Sequence, residues 1–370
     1  MRISVVTESF LPQVNGVSNS VRHVVEVLTR GGHQVQVIAP GPGPLEHHGV
    51  PVVRVRSVAL PGYTTFPIGL PDRALEREMA RFAPDVVHLA SPIALGKVGQ
   101  RAARRLGVPQ VAVYQTDVVG FSKQYPFHAD VPLSRWIGKI HRRAHRNLVP
   151  SAASAAQLAD LGVSDVHRWG RGVRLDLFDP SRRDEALHAE WAPHGEALVG
   201  YVGRLAHEKQ VHRLAELADV PGSRLVVVGD GPARPELERL LPGAVFTGML
   251  GGTDLARAFA TLDVFCHTGE AETFCQTVQE AQASGVAVVA PGVGGPVDLV
   301  EHGVSGMLHE PTRPASFRAH VAALVADPAC RQQIAAAGRA RVAGRTWDAV
   351  VGELVEHYDA VALRPAERVA

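Results

Sequence analysis

Two glutamates, Glu272 and Glu280, stand eight positions apart in the stretch GEAETFCQTVQEA. Carboxylates accept hydrogen bonds from sugar hydroxyls, and a close pair can also act as acid and base on a glycosidic bond. Eight residues is about 80° off a single helical face, so the two need not share a task. Thr273-x-x-Gln276 has capping-box spacing and predicts a helix with Thr273 as N-cap, running to about Ser284 and stopped by Gly285. Phe274 and Cys275 then fall in the first turn, where unpaired N–H groups attract phosphates. Glu280 lies seven residues beyond Thr273, roughly 10 Å along the axis. A diphosphate at the tip would have a hydroxylated group at each end. On spacing alone, a solvated Glu280 and a Glu272 that merely favours the helix dipole have somewhat more weight.

A second stretch, YVGRLAHEKQ, ends a buried strand in glycine and then places Arg204 and Lys209. A guanidinium fork with a point-charge ammonium neutralises a diphosphate, which matters most when that diphosphate is a leaving group. The competing reading is a surface Glu208/Lys209 pair worth under about 1 kcal/mol. In SFLPQVNGVSNSV, Asn15-Gly16 reads as a tight turn where backbone can approach a ligand. It is not G-x-G-x-x-G, which argues against a nicotinamide oxidoreductase. The glycine-rich stretches GDGP and GVGGP read as turns after strands. No D-x-D pair, H-E-x-x-H, G-x-S-x-G elbow or Walker lysine occurs, and His47-His48 reads as a solvated loop pair.

The elements that must carry these residues follow an α/β rhythm. Short Val-rich runs at Arg2–Val6, Gln34–Ala39, Val52–Arg56, Val86–Ala90 and Gln110–Tyr114 alternate with helical patterns such as Val17–Arg30 and Ala94–Leu106. The rhythm restarts at Leu198–Gly203, with further strands at Arg224–Val228, Val264–His267 and Val286–Ala290. Apolar strands between helices predict parallel sheets covered on both faces. A chain of 370 residues is long for one domain, so two are expected. The prediction is an N-terminal domain over 1–176, a linker over 177–196 and a C-terminal domain over 197–346. Two such domains facing across a cleft would bind ligand at the C-terminal edges of their strands.

The formal net charge of +1 implies no polyanionic partner, so no nucleic acid is expected. Three sparse cysteines without metal spacing suit a reducing cytoplasm. No apolar run reaches the roughly 18 residues a membrane span requires, and the N-terminus has no leader pattern. In RWIGKIHRRAHR, Arg135, Lys139, Arg142 and Arg146 fall on one helical stripe, with Trp136, Ile137, Ile140 and Ala144 opposite. Lys97, Arg101, Arg104 and Arg105 form another basic face. Such faces either bind anionic lipid or are simply the solvated backs of core helices.

These stretches, in this order and over nearly the whole chain, resemble the retaining glycosyltransferases of family four, with their two-domain GT-B fold. LVPS at 148–151, WGRGVRLDLFDP at 169–180, GRLAHEK, VVVGDGP and the Glu272/Glu280 segment carry the resemblance. The variants ETFCQTVQEA, APGVGGPVDLV and YQTD look most like the actinobacterial GDP-mannose-dependent α-mannosyltransferases, which act on lipid acceptors such as glucuronosyl diacylglycerol or phosphatidylinositol mannosides. The resemblance implies a nucleotide-sugar donor and no cofactor or metal. It implies Gly16, Arg204 and Lys209 against the donor diphosphate, Glu272 on the hexose, amides near Phe274 and Cys275 on phosphate or sugar, and Glu280 on the ribose. It places the catalytic work on Arg204, Lys209 and Glu272. It also implies a last helix that crosses back onto the first domain, giving that domain residues 347–370. Many relatives carry histidine where this chain has Gln115, and glutamine cannot act as a proton base. Gln115 is therefore assigned to sugar positioning and Asp117 to the acceptor side. Arg174 stands where relatives usually have aspartate, and its role is open. A UDP-sugar donor, or a nucleotide-sugar epimerase or hydrolase of the same fold, are the alternatives.

Overall fold

A computed structural model of the chain describes residues 1–13, 15–60, 63–70, 73–116 and 130–362. It divides into two compact units: residues 1–171 together with the segment from Trp347, and Gly172–Thr346.

The first unit holds an eight-stranded sheet in the order β10-β9-β8-β7-β1-β2-β4-β3. Its strands are β1 (Arg2–Thr7), β2 (Gln34–Pro40), β3 (Glu46–His47), β4 (Val50–Val55), β7 (Val86–Ala90), β8 (Gln110–Val113), β9 (Arg146–Val149) and β10 (Val166–Arg168). Only β3 pairs antiparallel within it. A separate antiparallel hairpin is formed by β5 (Ser57–Leu60) and β6 (Tyr63–Gly69). Alternation along β1 explains the layers. Ile3 and Val5 join a core with Val24 and Leu28 of helix α1 (Gly16–Arg30) and with Leu354 and Tyr358 of the helix Trp347–Ala362. Val6 points to the other side, with Leu75 and Met79 of α2 (Arg73–Phe82) and with Leu95 and Ala103 of α3 (Leu95–Arg105). Strands buried on both faces are apolar at most positions, with few buried polar residues such as Ser4 and His88, which is why they read as Val-rich runs. The last helix is fastened there by Tyr358, whose hydroxyl lies 2.6 Å from His88 Nδ1, and by the Trp169 indole donating to Val350 O at 2.9 Å.

The second unit holds a six-stranded parallel sheet, β13-β12-β11-β14-β15-β16. Its strands are β11 (Ala197–Val202), β12 (Ser223–Val228), β13 (Val245–Gly248), β14 (Val264–Cys266), β15 (Ala287–Pro291) and β16 (Met307–His309). Helices cover both faces, with Phe259 and Val278 packed on one and Phe317, Val321 and Leu324 on the other.

Residues 177–196, expected as a linker, instead belong to this second unit. Pro180–Arg182 form a 3-10 turn and Glu185–Trp191 a helix, and Phe178 and Trp191 are buried in its core. Prolines and charges hid a segment that docks by two large aromatic anchors. The unit begins at Gly172, earlier than residue 177.

Candidate active site

In the second sheet, chain order runs one way from β11 to β13 and the other way from β14 to β16. The reversal leaves a crevice beyond the C-terminal ends of β11 and β14, where open α/β sheets bind ligands. Arg204 and Lys209 follow β11, and the Glu272 segment follows β14.

Lys209 ends a 3-10 turn, His207–Lys209. Its ammonium donates to Glu272 Oε1 at 2.5 Å, and its own carbonyl accepts from Thr268 Oγ1 at 2.7 Å. His267 Nε2 lies 3.2 Å from the same carboxylate oxygen, and its ring stacks on buried Tyr201, centroids 6.3 Å apart. The Tyr201 hydroxyl donates to Arg204 O at 3.2 Å. Lys209 and Glu272 are mostly buried, with side chains 24 % and 15 % exposed. Burial pushes the Glu272 carboxyl up, but Lys209 and His267 outweigh it and hold the group well below the usual carboxylate range. Burial likewise works to lower Lys209, and Glu272 overcomes it, leaving the ammonium raised. For His267, burial is again opposed, by Cys275 and Glu272, and the imidazole is raised to about 10. The competing Glu208/Lys209 pair does not form. Arg204 pairs with Glu208, and Lys209 pairs with Glu272.

The helix after this segment runs Gln276–Ala283, and its N-cap is Cys275, not Thr273. Cys275 adopts φ 79°, a left-handed turn that reorients the chain just before the helix. The cause is packing from the GVGGP loop. Gly295 N donates to Glu272 O at 2.7 Å, and a Cβ on Gly295 would meet the Phe274 backbone at 2.5 Å. Gln276 therefore sits at the first helical position, and its amide donates to Gly172 O at 3.0 Å rather than closing a capping box. Phe274 and Cys275 lie ahead of the first turn, buried. Glu280 is half-buried on the body of the helix. The GDGP loop plays the equivalent part for Arg204: a Cβ on Gly229 would fall 1.9 Å from Gly203 O. Leu205 N donates to Asp230 O at 2.9 Å.

His267, Glu272 and Cys275 each offer a donor atom within 4.8 Å of one another, a set that in principle could grip a metal ion. The Lys209 ammonium already occupies the cationic position facing Glu272, so the geometry favours an ion pair over a metal there.

In the first unit, order reverses between β1 and β7. The buried Glu8 carboxylate fills that point, accepting from the amides of Ile93, Leu95 and Gly96 at 2.8–3.1 Å. Asn15-Gly16 is not a tight turn. Asn15 caps α1, its Oδ1 accepting from Val17 N and Ser18 N at 3.0 Å, and Gly16 is the first helical residue. Arg171 donates to Gly16 O at 3.1 Å and to Gln115 Oε1 at 3.3 Å. A Cβ on Gly16 would meet the Arg171 guanidinium at 3.0 Å. Gln115 is buried. Asp117 lies outside the described residues. Arg174 pairs with its neighbour Asp176 at 2.6 Å.

The sequence reading missed His267, Arg171 and Glu8. For His267 there was a usable signal, a histidine closing an otherwise apolar strand one residue before a loop of functional groups.

Residues 14–177 match the model described as Glycosyltransferase Family 4, and 183–341 that described as Glycosyl transferases group 1. A GDP-mannose-dependent alpha-mannosyltransferase of Mycobacterium tuberculosis is 50 % identical over 100 % of this chain and 99 % of its own length. The chain belongs to glycosyltransferase family 4. A second Mycobacterium tuberculosis relative, a GDP-mannose-dependent alpha-(1-6)-phosphatidylinositol dimannoside mannosyltransferase, is 26 % identical over 98 % of this chain and 97 % of its own. Among solved structures, sucrose-phosphate synthase from Thermosynechococcus elongatus superposes with a TM-score of 0.82 at 22 % identity, covering 98 % of this chain and 100 % of that one. That likeness establishes the GT-B fold for this glycosyltransferase, as the two Rossmann-like sheets require.

Proposed function

We propose that this family 4 enzyme transfers mannose from GDP-mannose to a hydroxyl of a membrane glycolipid, of the glucuronosyl diacylglycerol or phosphatidylinositol mannoside type, with retention of α configuration. The observation that carries the reading is the Lys209–Glu272 pair beside His267 and Arg204 at the second sheet's switch point, in a chain half identical to a GDP-mannose-dependent enzyme end to end.

The free enzyme holds a cation and an anion ready for exchange. An arriving diphosphate takes the Lys209 ammonium and the Arg204 guanidinium, both cations with hydrogen-bond donors. Glu272 is then released to accept hexose hydroxyls while still held by His267. Glu280 takes the ribose, and the amides at Phe274 and Cys275 take phosphate or sugar. As the bond from C1 to the phosphate oxygen breaks, charge grows on the diphosphate and the two cations stabilise it. The acceptor oxygen bonds C1 from the same face, and its proton passes to the departing phosphate. Gln115 cannot carry that proton, since an amide is not a base at neutral pH. Its place beside Arg171 and Gly16 suits sugar positioning, and Asp117 is assigned to the acceptor side. The chemistry uses no metal.

The reading extends to peripheral attachment at the cytoplasmic face of an anionic membrane. Among the described residues no helix is long and apolar enough to cross a membrane. The two basic faces adjoin in the first unit: burial first, then Arg143, Lys139 and Arg104, lower Lys97 to about 8. The helix there is Asp130–His141, so Arg142 and Arg146 lie past its end. Trp136, expected on the apolar side, is 42 % exposed and has Lys97 Nζ 5.9 Å from its ring centroid. A cation stacked on an exposed indole suits a headgroup boundary.

The test is a donor panel of GDP-mannose, UDP-glucose and UDP-glucuronate against membrane-lipid extracts, with and without EDTA. Mannolipid formed from GDP-mannose alone, at an EDTA-insensitive rate, is expected. Transfer from a UDP-sugar instead, or donor turnover that ignores added lipid, overturns the reading.

A further inference from the structure

Of the His47-His48 pair, His48 is exposed in a turn as expected, but His47 is mostly buried. β3 and β4 form a two-residue hairpin whose loop is His48-Gly49, both left-handed at φ 49° and 79°. Such loops favour Asn-Gly, so histidine is an unusual occupant. The hairpin lays both imidazoles against α1. His47 Nε2 lies 3.4 Å and His48 Nε2 3.9 Å from Glu26 Oε1. On the same helix, His23 Nδ1 is 3.4 Å from Glu26 Oε2. Three imidazoles thus converge on one carboxylate.

The His47 side chain is only 9 % exposed, and its Nε2 is sealed from solvent without making a hydrogen bond. A buried ring nitrogen left unbonded costs free energy unless something binds it. From these observations we infer that Glu26, His47 and His48, whose donor atoms lie within 4.8 Å of one another, form a binding site for a zinc-type divalent cation, with water completing its coordination. Imidazole and carboxylate are zinc's usual nitrogen and oxygen donors. Bonds of about 2.0–2.1 Å place tetrahedral ligand atoms about 3.3 Å apart, so the donors, now within 4.8 Å of one another, would draw in around the ion.

The cations facing the site are accounted for. Arg22 Nη2 lies 3.9 Å from Glu26 Oε1, but its side chain is partly exposed and can turn to solvent. Arg30 is engaged with Asp348. A cleft of about 250 Å³, bordered by Val25, Thr29 and Val50, gives a hydrated ion access. The bound ion would pin the hairpin to α1, which Asn15 caps and Gly16 begins. It is a structural clamp, separate from the transfer chemistry.

The experiment uses the untagged full-length protein, stripped with EDTA and dialysed. Titration with Zn²⁺ against a chromogenic chelator should show one ion per chain, and Zn²⁺ should raise the melting temperature. Co²⁺ should give the intense visible bands of a tetrahedral nitrogen–oxygen site. His47→Ala and His48→Ala should each weaken binding more than tenfold. His48 lies on an exposed turn, so its stripped variant should melt with the stripped parent. The inference is overturned by no stoichiometric uptake at micromolar Zn²⁺, by uptake that both variants leave unchanged, or by a cobalt spectrum with sulfur charge transfer, which would assign the ion to Cys275.

Discussion

Glu272→Gln isolates the ion pair at the centre of the candidate site. Glutamine keeps the shape and one acceptor oxygen but leaves the Lys209 ammonium without its counter-charge. Breaking a fully buried pair from one side costs about 3–5 kcal/mol, because the orphaned charge stays desolvated. Lys209 and Glu272 retain some solvent contact, so about 2–3 kcal/mol is expected here. In a unit of this size that lowers the melting temperature by roughly 4–12 °C. Lys209→Met should cost a similar amount, and the double variant little more than either single, giving a coupling of about 2 kcal/mol.

The pH profile follows from the shifts. A lowered Glu272 contributes stability above its unfolded value near 4, lost as pH falls through the folded value. A raised Lys209 contributes below about 10.4, lost as pH rises through its folded value. His267, raised to about 10, contributes fully below about 6.5, and that share is lost as pH climbs from there to about 10. The gap between parent and Glu272→Gln should therefore be widest at about pH 5–6.5, narrow towards pH 10 and shrink progressively as pH falls below about 4. Differential scanning calorimetry across that range is the assay. Additive single variants, or a gap flat from pH 5 to 10, would refute the argument.

Arg204 is more exposed and its contact with Glu208 is worth about 1 kcal/mol or less. Arg204→Ala should thus hold its melting temperature while transfer falls about 10²-fold or more, measured as kcat/KM for the donor. Gly295→Ala forces a methyl into the Phe274 backbone and should cost about 1–3 kcal/mol while displacing the Glu272 loop. Gly352→Ala, on the exposed face of the last helix with open space around it, should instead stabilise by about 0.5–1 kcal/mol in the same calorimeter. Lys139→Glu with Arg143→Glu should weaken binding to anionic liposomes by at least about 25-fold at low salt, from about 1 kcal/mol per cation removed. Flotation that ignores both substitutions and salt would remove the basic face from the membrane reading.

The α/β rhythm was legible because strands covered on both faces are mostly apolar, and Val86–Ala90 falls where the pattern puts it, while the last helix, Trp347–Ala362, falls where the family resemblance puts it. The chemistry-bearing loops were legible too, since each follows such a strand: Arg204 and Lys209 after β11, Glu272 after β14. Where these groups go was not. Lys209 prefers Glu272, 63 residues away, over its neighbour Glu208, because sheet order sets β11 beside β14. The capping box at Thr273 failed for a related reason. Its local propensity is worth about 1 kcal/mol, less than a glycine loop pressed against the Phe274 backbone can override. Arg171 reaching Gly16 and Gln115, and His47 meeting Glu26, likewise join segments that no periodicity links. Residue types and strand rhythm belong to the sequence alone. Partnership, burial and the resulting charge states are decided by which strands lie side by side.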